Sequence, residues 1–399
     1  MTGTPARAYR EHHGFLTFSL DLRLIGAEFW LHLGEARSKV DHLAFALLSP
    51  AVATELHFMY LAKGVHATTA IEGNTLTEEA AIEIIEGRHV APPSQQYLVR
   101  EVENVVAACN AMADEVLGGA DPTITVDLIK RFNRQILEGT ELKDDGVVPG
   151  ELRNDSRVVG RYRAVPWEDC EYLLERLCEW LRGPDFTAES EEWRVPYALL
   201  KAMVAHLYLA WIHPFGDGNG RTARLVELQI LFAAGFPMPA CHLLSNHYNE
   251  TRDEYYRQLD RASTSGGDIL PFLRYAAQGF IDGLRTQLSR VWEQQYADRW
   301  EQFIYETFGH THTAARERQR RLVLELSKRA DPVPRRDLPR MTVELFAAYQ
   351  GTERTLSRDL NALEKLGLIE RVRSGWRPRR DQILAFRSPR REILTGNPD

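Results

Sequence analysis

Most of the chain repeats its apolar residues at helical spacing. Segments 41–63 and 77–86 carry them three and four residues apart, and Thr77 followed by Glu79 and Ala80 reads as a helix start. Another helical run, 98–117, stops at Gly118-Gly119. Asp121-Pro122 is a turn, and Thr125 is placed to cap a helix over 126–137. Segment 166–181 is helical as far as Gly183-Pro184. The most apolar stretch is 193–212, where Leu199, Leu200, Met203, Val204, Leu207 and Trp211 leave little polar face. A helix apolar nearly all round belongs in the middle of a bundle. His213-Pro214 ends it, a glycine-rich loop follows, and a second helix runs from about Arg221 to Ala234 before Gly235 and Pro237. Segments 255–259 and 271–292 add helix. Strand periodicity is confined to 157–165, and to 368–372 with 383–386, which flank a glycine- and arginine-rich turn. The pattern predicts a mostly α protein.

Length and charge divide this helical chain. At 399 residues it exceeds one compact core, so two or three domains are expected. The net charge is −7, unevenly spread: from Thr311 onward 20 Lys and Arg face 12 Asp and Glu, a balance of +8, against −15 for residues 1–310. A basic segment on an acidic body points either to a separate module with an anionic partner or to a solvated arginine-rich tail, and composition alone does not choose between them. Residues 1–10 do not read as a signal peptide. The best membrane-span candidate, 43–62, is interrupted by Ser49, Pro50 and Glu55. Cys109, Cys170, Cys178 and Cys241 show no CxxC spacing, which fits a reducing compartment. The expectation is a cytoplasmic protein with no membrane partner.

The chemistry is concentrated in residues 213–224, His-Pro-Phe-Gly-Asp-Gly-Asn-Gly-Arg-Thr-Ala-Arg. Gly218 and Gly220 permit positive φ, so successive N–H groups can turn inward as an anion nest. The nest opens onto a helix N-terminus, which also favours phosphate. Asp217 is a hard oxygen ligand of the kind Mg²⁺ takes. Arg221 and Arg224, three apart on the first turn, are expected to point to one side and neutralise outer phosphates. His213 can accept a proton from an attacking hydroxyl near neutral pH. Phe215 is expected to anchor the loop in the bundle. No GxxxxGK[ST] phosphate loop occurs.

These residues resemble the signature of the Fic family (Fic/Doc), HPFx[DE]GNGRxxR, at all eight informative positions. The resemblance implies a Fic-type helical bundle with a small β-hairpin flap. It also implies a protein adenylyltransferase that moves AMP from ATP to a Ser, Thr or Tyr hydroxyl of a target protein or of itself, releasing pyrophosphate. By position, His213 would deprotonate the hydroxyl and Asp217 would hold Mg²⁺. Gly218, Asn219 and Gly220 would cradle the α-phosphate, and Arg221 and Arg224 would meet the outer phosphates. Upstream, Thr68 to Asn74 resembles the family's inhibitory motif [ST]xxxE[GN], in a helix over about 60–74. There Glu72 would compete with ATP for Arg224. Residues 150–153 and 157–165 sit where the family places its flap, although its usual pair of adjacent glycines is missing. Tyr255-Tyr256 matches a tyrosine pair near adenine in relatives, with core packing as the competing reading. The same glutamate also admits an enzyme that removes AMP, and nothing in the loop reads the base, so another nucleotide is an alternative.

The C-terminal part reads as helix 343–349, a turn at Gly351, a helix capped by Thr352, and a strand. Leu356, Leu360, Leu363 and Leu366 share one face, with Arg354, Ser357, Arg358, Asn361 and Lys365 opposite, and 371–380 form a basic wing. This resembles a winged helix-turn-helix, an α+β module, and implies duplex DNA as a partner, with protein contact as the alternative. The expected organisation is an N-terminal helical region 1–118, a catalytic core 119–310 and a winged helix 311–399. A homodimer is compatible with this reading. So is a DNA-binding regulator with a Fic domain, which the intact His213, Asp217 and arginine pair disfavour.

Overall fold

The computed structural model describes residues 13–142, 144, 146–309, 313–350 and 353–384. These fall into two compact units, one ending at Val291 and the other beginning at Trp292.

In the first unit the helices are α1 (Ala27–Ala44), α2 (Pro50–Ile71), α3 (Glu78–Ile85), α4 (Gln96–Leu117) and α5 (Val126–Leu137). A two-stranded hairpin follows, β1 (Val158–Val159) and β2 (Tyr162–Arg163), antiparallel with Val159 opposite Tyr162. Then come α6 (Cys170–Leu181), α7 (Glu191–Ile212), α8 (Asn219–Ala233), α9 (Met238–Cys241), α10 (Leu243–Glu250) and α11 (Arg252–Thr264). The long α12 (Leu270–Phe308) contributes its first part to this unit and its last part to the other.

Local chemistry accounts for the boundaries. Thr77 and Thr125 accept from the N–H groups of Ala80 and Leu128, as their N-cap positions require. The helical run expected over 41–63 is two helices. Ser49 caps α2 with Pro50 at its first position, so the chain breaks there and α1 lies upstream. α7 tolerates Pro196 near its start and, among the described residues, is the one helix long and apolar enough to cross a membrane by length and composition. Here 83% of that stretch is buried inside the protein. The segment considered from sequence, 43–62, instead spans the end of α1 and the start of α2. α7 and α8 pack side by side at the centre of one core, and α8 also meets α2, α4 and α5.

The second unit has α13 (Ala314–Ser327), α14 (Val343–Tyr349), α15 (Glu353–Lys365) and an antiparallel pair, β3 (Ile369–Val372) and β4 (Gly375–Pro378). Its core gathers Trp300, Ile304, Leu322, Leu345, Leu356 and Trp376, among others. Within it the buried Asp359 accepts from Arg318, Gln319 and Tyr349. The strand expected over 368–372 forms and pairs with β4. Trp376 is needed in the core, and its backbone also bridges to Val333, which draws the chain back at once. Ile383 ends a 3-10 turn, while residues 385–386, Gly351 and Thr352 lie outside the described residues.

Candidate active site

The loop between α7 and α8 is held at both ends. His213 closes α7 in the left-handed conformation (φ 49°, ψ 58°), which few non-glycine residues adopt. Its carbonyl accepts from Arg153 Nε at 2.7 Å, and that of Pro214 accepts from the Arg153 N–H at 2.9 Å. The remaining Arg153 nitrogens donate to the carbonyls of Asp155 and Val165. One buried arginine therefore ties the base of the β1–β2 hairpin to the turn that aims His213. Phe215 is buried in the core, as expected. Asn219 closes the loop on itself. Its Oδ1 accepts from the Phe215 N–H at 2.9 Å, and its Nδ2 donates to the Phe215 carbonyl at 2.8 Å. With the side chain so engaged, what Asn219 presents to an anion is its backbone N–H at the first position of α8.

The two glycines act differently. Gly218, at φ 74°, is the left-handed N-cap of α8. A Cβ there would lie 3.0 Å from Asn133 Nδ2 and 3.1 Å from Ile136. Gly220, expected at positive φ, is helical, because α8 starts one residue before it. What it provides is space: a Cβ would collide with the Glu72 carboxylate lying over it.

The buried charges are partnered from different helices. Asp217 is 4% exposed; its Oδ1 accepts from the Gly218 N–H at 2.7 Å and lies 3.7 Å from Arg221 Nη2. Arg221 does not share a direction with Arg224, contrary to the expectation from spacing. Its Nη1 turns to Glu101 on α4 at 3.2 Å. Arg224 turns to α2, where Nε donates to Thr68 Oγ1 at 2.6 Å and Nη2 to Glu72 Oε1 at 2.7 Å. The physical reason is that α8 is buried on nearly every side, so each guanidinium takes the nearest carboxylate on a separate neighbouring helix. Burial works against the charge on Arg224, yet Glu72 and nearby groups outweigh it and raise its pKa. Its Nη1 is buried without a partner and lies against Gly220 at the mouth of α8.

Glu72 caps the C-terminus of α2, and that end is held from α11. Arg252 donates to the carbonyls of Ala70 and Ile71, and Tyr256 to that of Ile71. The tyrosine pair divides. Tyr255 is core: its hydroxyl lies 2.9 Å from His206 Nε2, its ring stacks on Tyr248, and burial raises its pKa. Tyr256 is 44% exposed and faces the cleft.

Around these groups lies a cleft of about 730 Å³. His213, Gly220, Glu72, Tyr256, Asp260 and Val159 are among its lining residues. The hairpin is fastened over it by Tyr162, whose hydroxyl donates to the Trp211 carbonyl, and by Arg161, which reaches Asp260 at 2.6 Å. Sequence reasoning did not single out Glu101 or Asn133. Asn133 binds the Asp217 carbonyl, Thr222 Oγ1 and the Gly150 N–H. A signal existed: Asn133 sits among Ile129, Phe132, Ile136 and Leu137 on the buried face of α5. Glu101 had none, since a glutamate on an amphipathic helix is ordinarily solvent-facing.

Residues 123–231 match the model of the Fic/DOC family. Among curated proteins, the chain is 32% identical over 265 residues to protein adenylyltransferase fic-1 of Caenorhabditis elegans, covering 64% of this chain and 47% of the relative. It is 29% identical over 214 residues to protein adenylyltransferase Fic of Nematostella vectensis, covering 54% and 45%. The chain thus spans about half the length of the curated relatives it matches. Among solved structures, Fic-1 (residues 134–508) of C. elegans aligns at TM-score 0.54 and 28% identity, over 67% of this chain and 74% of that one. A Fic family protein of Desulfovibrio desulfuricans shares the fold at TM-score 0.54 and 22% identity, over 93% and 95%.

Proposed function

Because the chain carries a Fic/DOC domain at residues 123–231, we propose that it is a protein adenylyltransferase restrained by its own Glu72. The observation that carries this is an anion site with an anion already on it. The N-terminus of α8, with N–H groups that have no acceptor inside the helix, and the buried Arg224 converge on the space over Gly220, where the Glu72 carboxylate lies.

In this reading ATP places its phosphates where α8 begins. The substrate hydroxyl attacks the α-phosphorus, the bond to the bridging oxygen breaks, and pyrophosphate leaves. His213, held by its left-handed turn at the cleft edge, takes the hydroxyl proton. Arg224 neutralises an outer phosphate once Glu72 withdraws. Arg221, buried beside Asp217, adds charge to the same end. Asp217 fits Mg²⁺ by its chemistry: a buried carboxylate at a phosphate site is the hard oxygen donor this ion takes, with phosphates and water completing its shell. Mg²⁺ held there would add positive charge to the phosphates in flight. Tyr256, not Tyr255, is the tyrosine placed to stack on a base. The open edge of Val158 and Val159, both exposed, offers backbone groups to an extended target segment.

The test is incubation of the Glu72→Gly chain with each labelled nucleotide, with and without cell lysate. Labelled protein from ATP labelled at the α-phosphate, at least tenfold above the parent chain, is expected; equal labelling of both chains would remove Glu72 from the account. Release of AMP from a pre-labelled target by the parent chain would favour the removal reaction.

A second reading concerns the second unit, which we propose to be a winged helix that binds duplex DNA. Arg354, Arg358, Asn361 and Lys365 are exposed on α15, opposite the buried Leu356, Leu360 and Leu363. The β3–β4 hairpin carries exposed Arg371, Arg373 and Arg377. Gel shift of the full chain should show binding that weakens steeply with salt and is lost in Arg354→Glu/Arg358→Glu.

A further inference from the structure

One carboxylate outside the motif touches both the inhibitory strap and the phosphate end. Glu101 Oε2 accepts from Asn74 Nδ2 at 2.9 Å, and its Oε1 accepts from Arg221 Nη1 at 3.2 Å. Asn74 lies two residues beyond Glu72. It is 7% exposed; its Nδ2 also donates to the Leu98 carbonyl, and its Oδ1 accepts from the Leu76 N–H. The strap that follows α2 is therefore pinned to α4 through one amide. On the other side, Arg221 is 3% exposed and has two carboxylates in reach, Glu101 at 3.2 Å and Asp217 at 3.7 Å. Its Nε is buried without a partner.

We propose that Glu101 is a positioning residue shared by the brake and the phosphate site. Through Asn74 it fixes the strap, and so keeps the Glu72 carboxylate over Gly220. Through Arg221 it keeps that guanidinium from collapsing onto Asp217. A buried guanidinium that loses one carboxylate takes the other available, and Asp217 is the group required for the cation. The two ends of one carboxylate thus serve opposite outcomes: one restrains transfer and the other keeps the site competent. This rests on the adenylyltransferase reading for its consequences, but not for its geometry.

The experiment uses the full chain with Asn74→Ala and the near-isosteric Glu101→Gln, each with Glu72 present and as Glu72→Gly. With Glu72 present, both variants should speed hydrogen exchange of the amides over 72–76. Asn74→Ala should also raise self-labelling about tenfold, the equivalent of one charge-assisted hydrogen bond. With Glu72 removed, Asn74→Ala should add nothing further. Glu101→Gln should instead raise the Mg²⁺ concentration needed to enhance ADP binding about tenfold, read by calorimetry, with metal-free ADP affinity held within about twofold. Unchanged exchange in both variants would overturn the strap half. An unchanged Mg²⁺ midpoint would overturn the Arg221 half. If the Glu72→Gly chain takes label from no nucleotide, the functional reading fails, while the exchange result still decides the strap.

Discussion

The two ends of the cleft are built on different physics. At the phosphate end Asp217, Arg221 and Arg224 are at most 4% exposed, and each is met by groups from another element. Low local dielectric makes those contacts strong and an unmatched charge there expensive. Along the hairpin rim, besides the contacts of Tyr162 and the buried Arg153, a further tie is made by Arg161, whose side chain is 84% exposed, and the half-exposed Tyr256 lines the cleft. Contacts in water are weak and replaceable. On the proposed function the difference would separate tasks: the buried groups would hold phosphates beside a proton acceptor, and the exposed rim would meet the target.

The largest expected effect tests the chemistry at the rigid end. His213→Ala should lower transfer by about 10²–10⁴-fold while ADP affinity stays within about twofold, because binding belongs to α8 and Arg224. Lost ADP affinity in calorimetry would place His213 in binding instead.

The next concerns how α2, which carries Glu72, is seated. His242 is fully buried, with its ring against the Cβ-less face of Gly64 on α2, and burial lowers its pKa to about 4. The unfolded chain takes up a proton near pH 6.5, which the folded protein resists until about pH 4. Stability should therefore be complete above pH 6.5 and fall as pH drops through that window, by about 3 kcal/mol in all. Urea unfolding of His242→Gln at pH 7 and pH 4.5 should show a smaller loss than the parent; an identical loss would mean that other groups set the acid limit.

Asn133→Ala removes three hydrogen bonds from α5, to Asp217 in the loop, to Thr222 on α8 and to Gly150, and should cost about 2 kcal/mol, seen as a lower urea midpoint. An unchanged midpoint would show that Asp217 and Gly150 are held by other means. The smallest effect belongs to the open end: Arg161→Ala should change self-labelling by less than about threefold. A larger loss would mean that the hairpin is part of the rigid end.

Much of the first unit was legible along the chain. Thr77 and Thr125 do cap α3 and α5, and Gly118 does close α4. The misses have local causes. The run 41–63 has helical spacing on both sides of Ser49-Pro50, so periodicity joined what a cap and a proline divide. α9 is four residues, too short to show a period. β4 was taken for turn because its pairing depends on the burial of Trp376.

The candidate site divides along the same line. The residues of 213–224 were readable because one short loop and one helix start carry most of the chemistry, and backbone geometry places neighbours in sequence beside one another. Spacing could not decide where Arg221 and Arg224 turn. Each swings toward a charge more than 100 residues away in sequence, Glu101 and Glu72, on helices that only folding brings near. The division of Tyr255 from Tyr256 is of the same kind, since adjacent residues on a helix face different surroundings and only the packing of α11 sets which side is core. The sequence by itself determined which groups exist and which of them are local to one another. The tertiary structure decided their partners, because a buried charge must be met by whatever groups the packed helices bring within reach, and those groups lie far away in sequence.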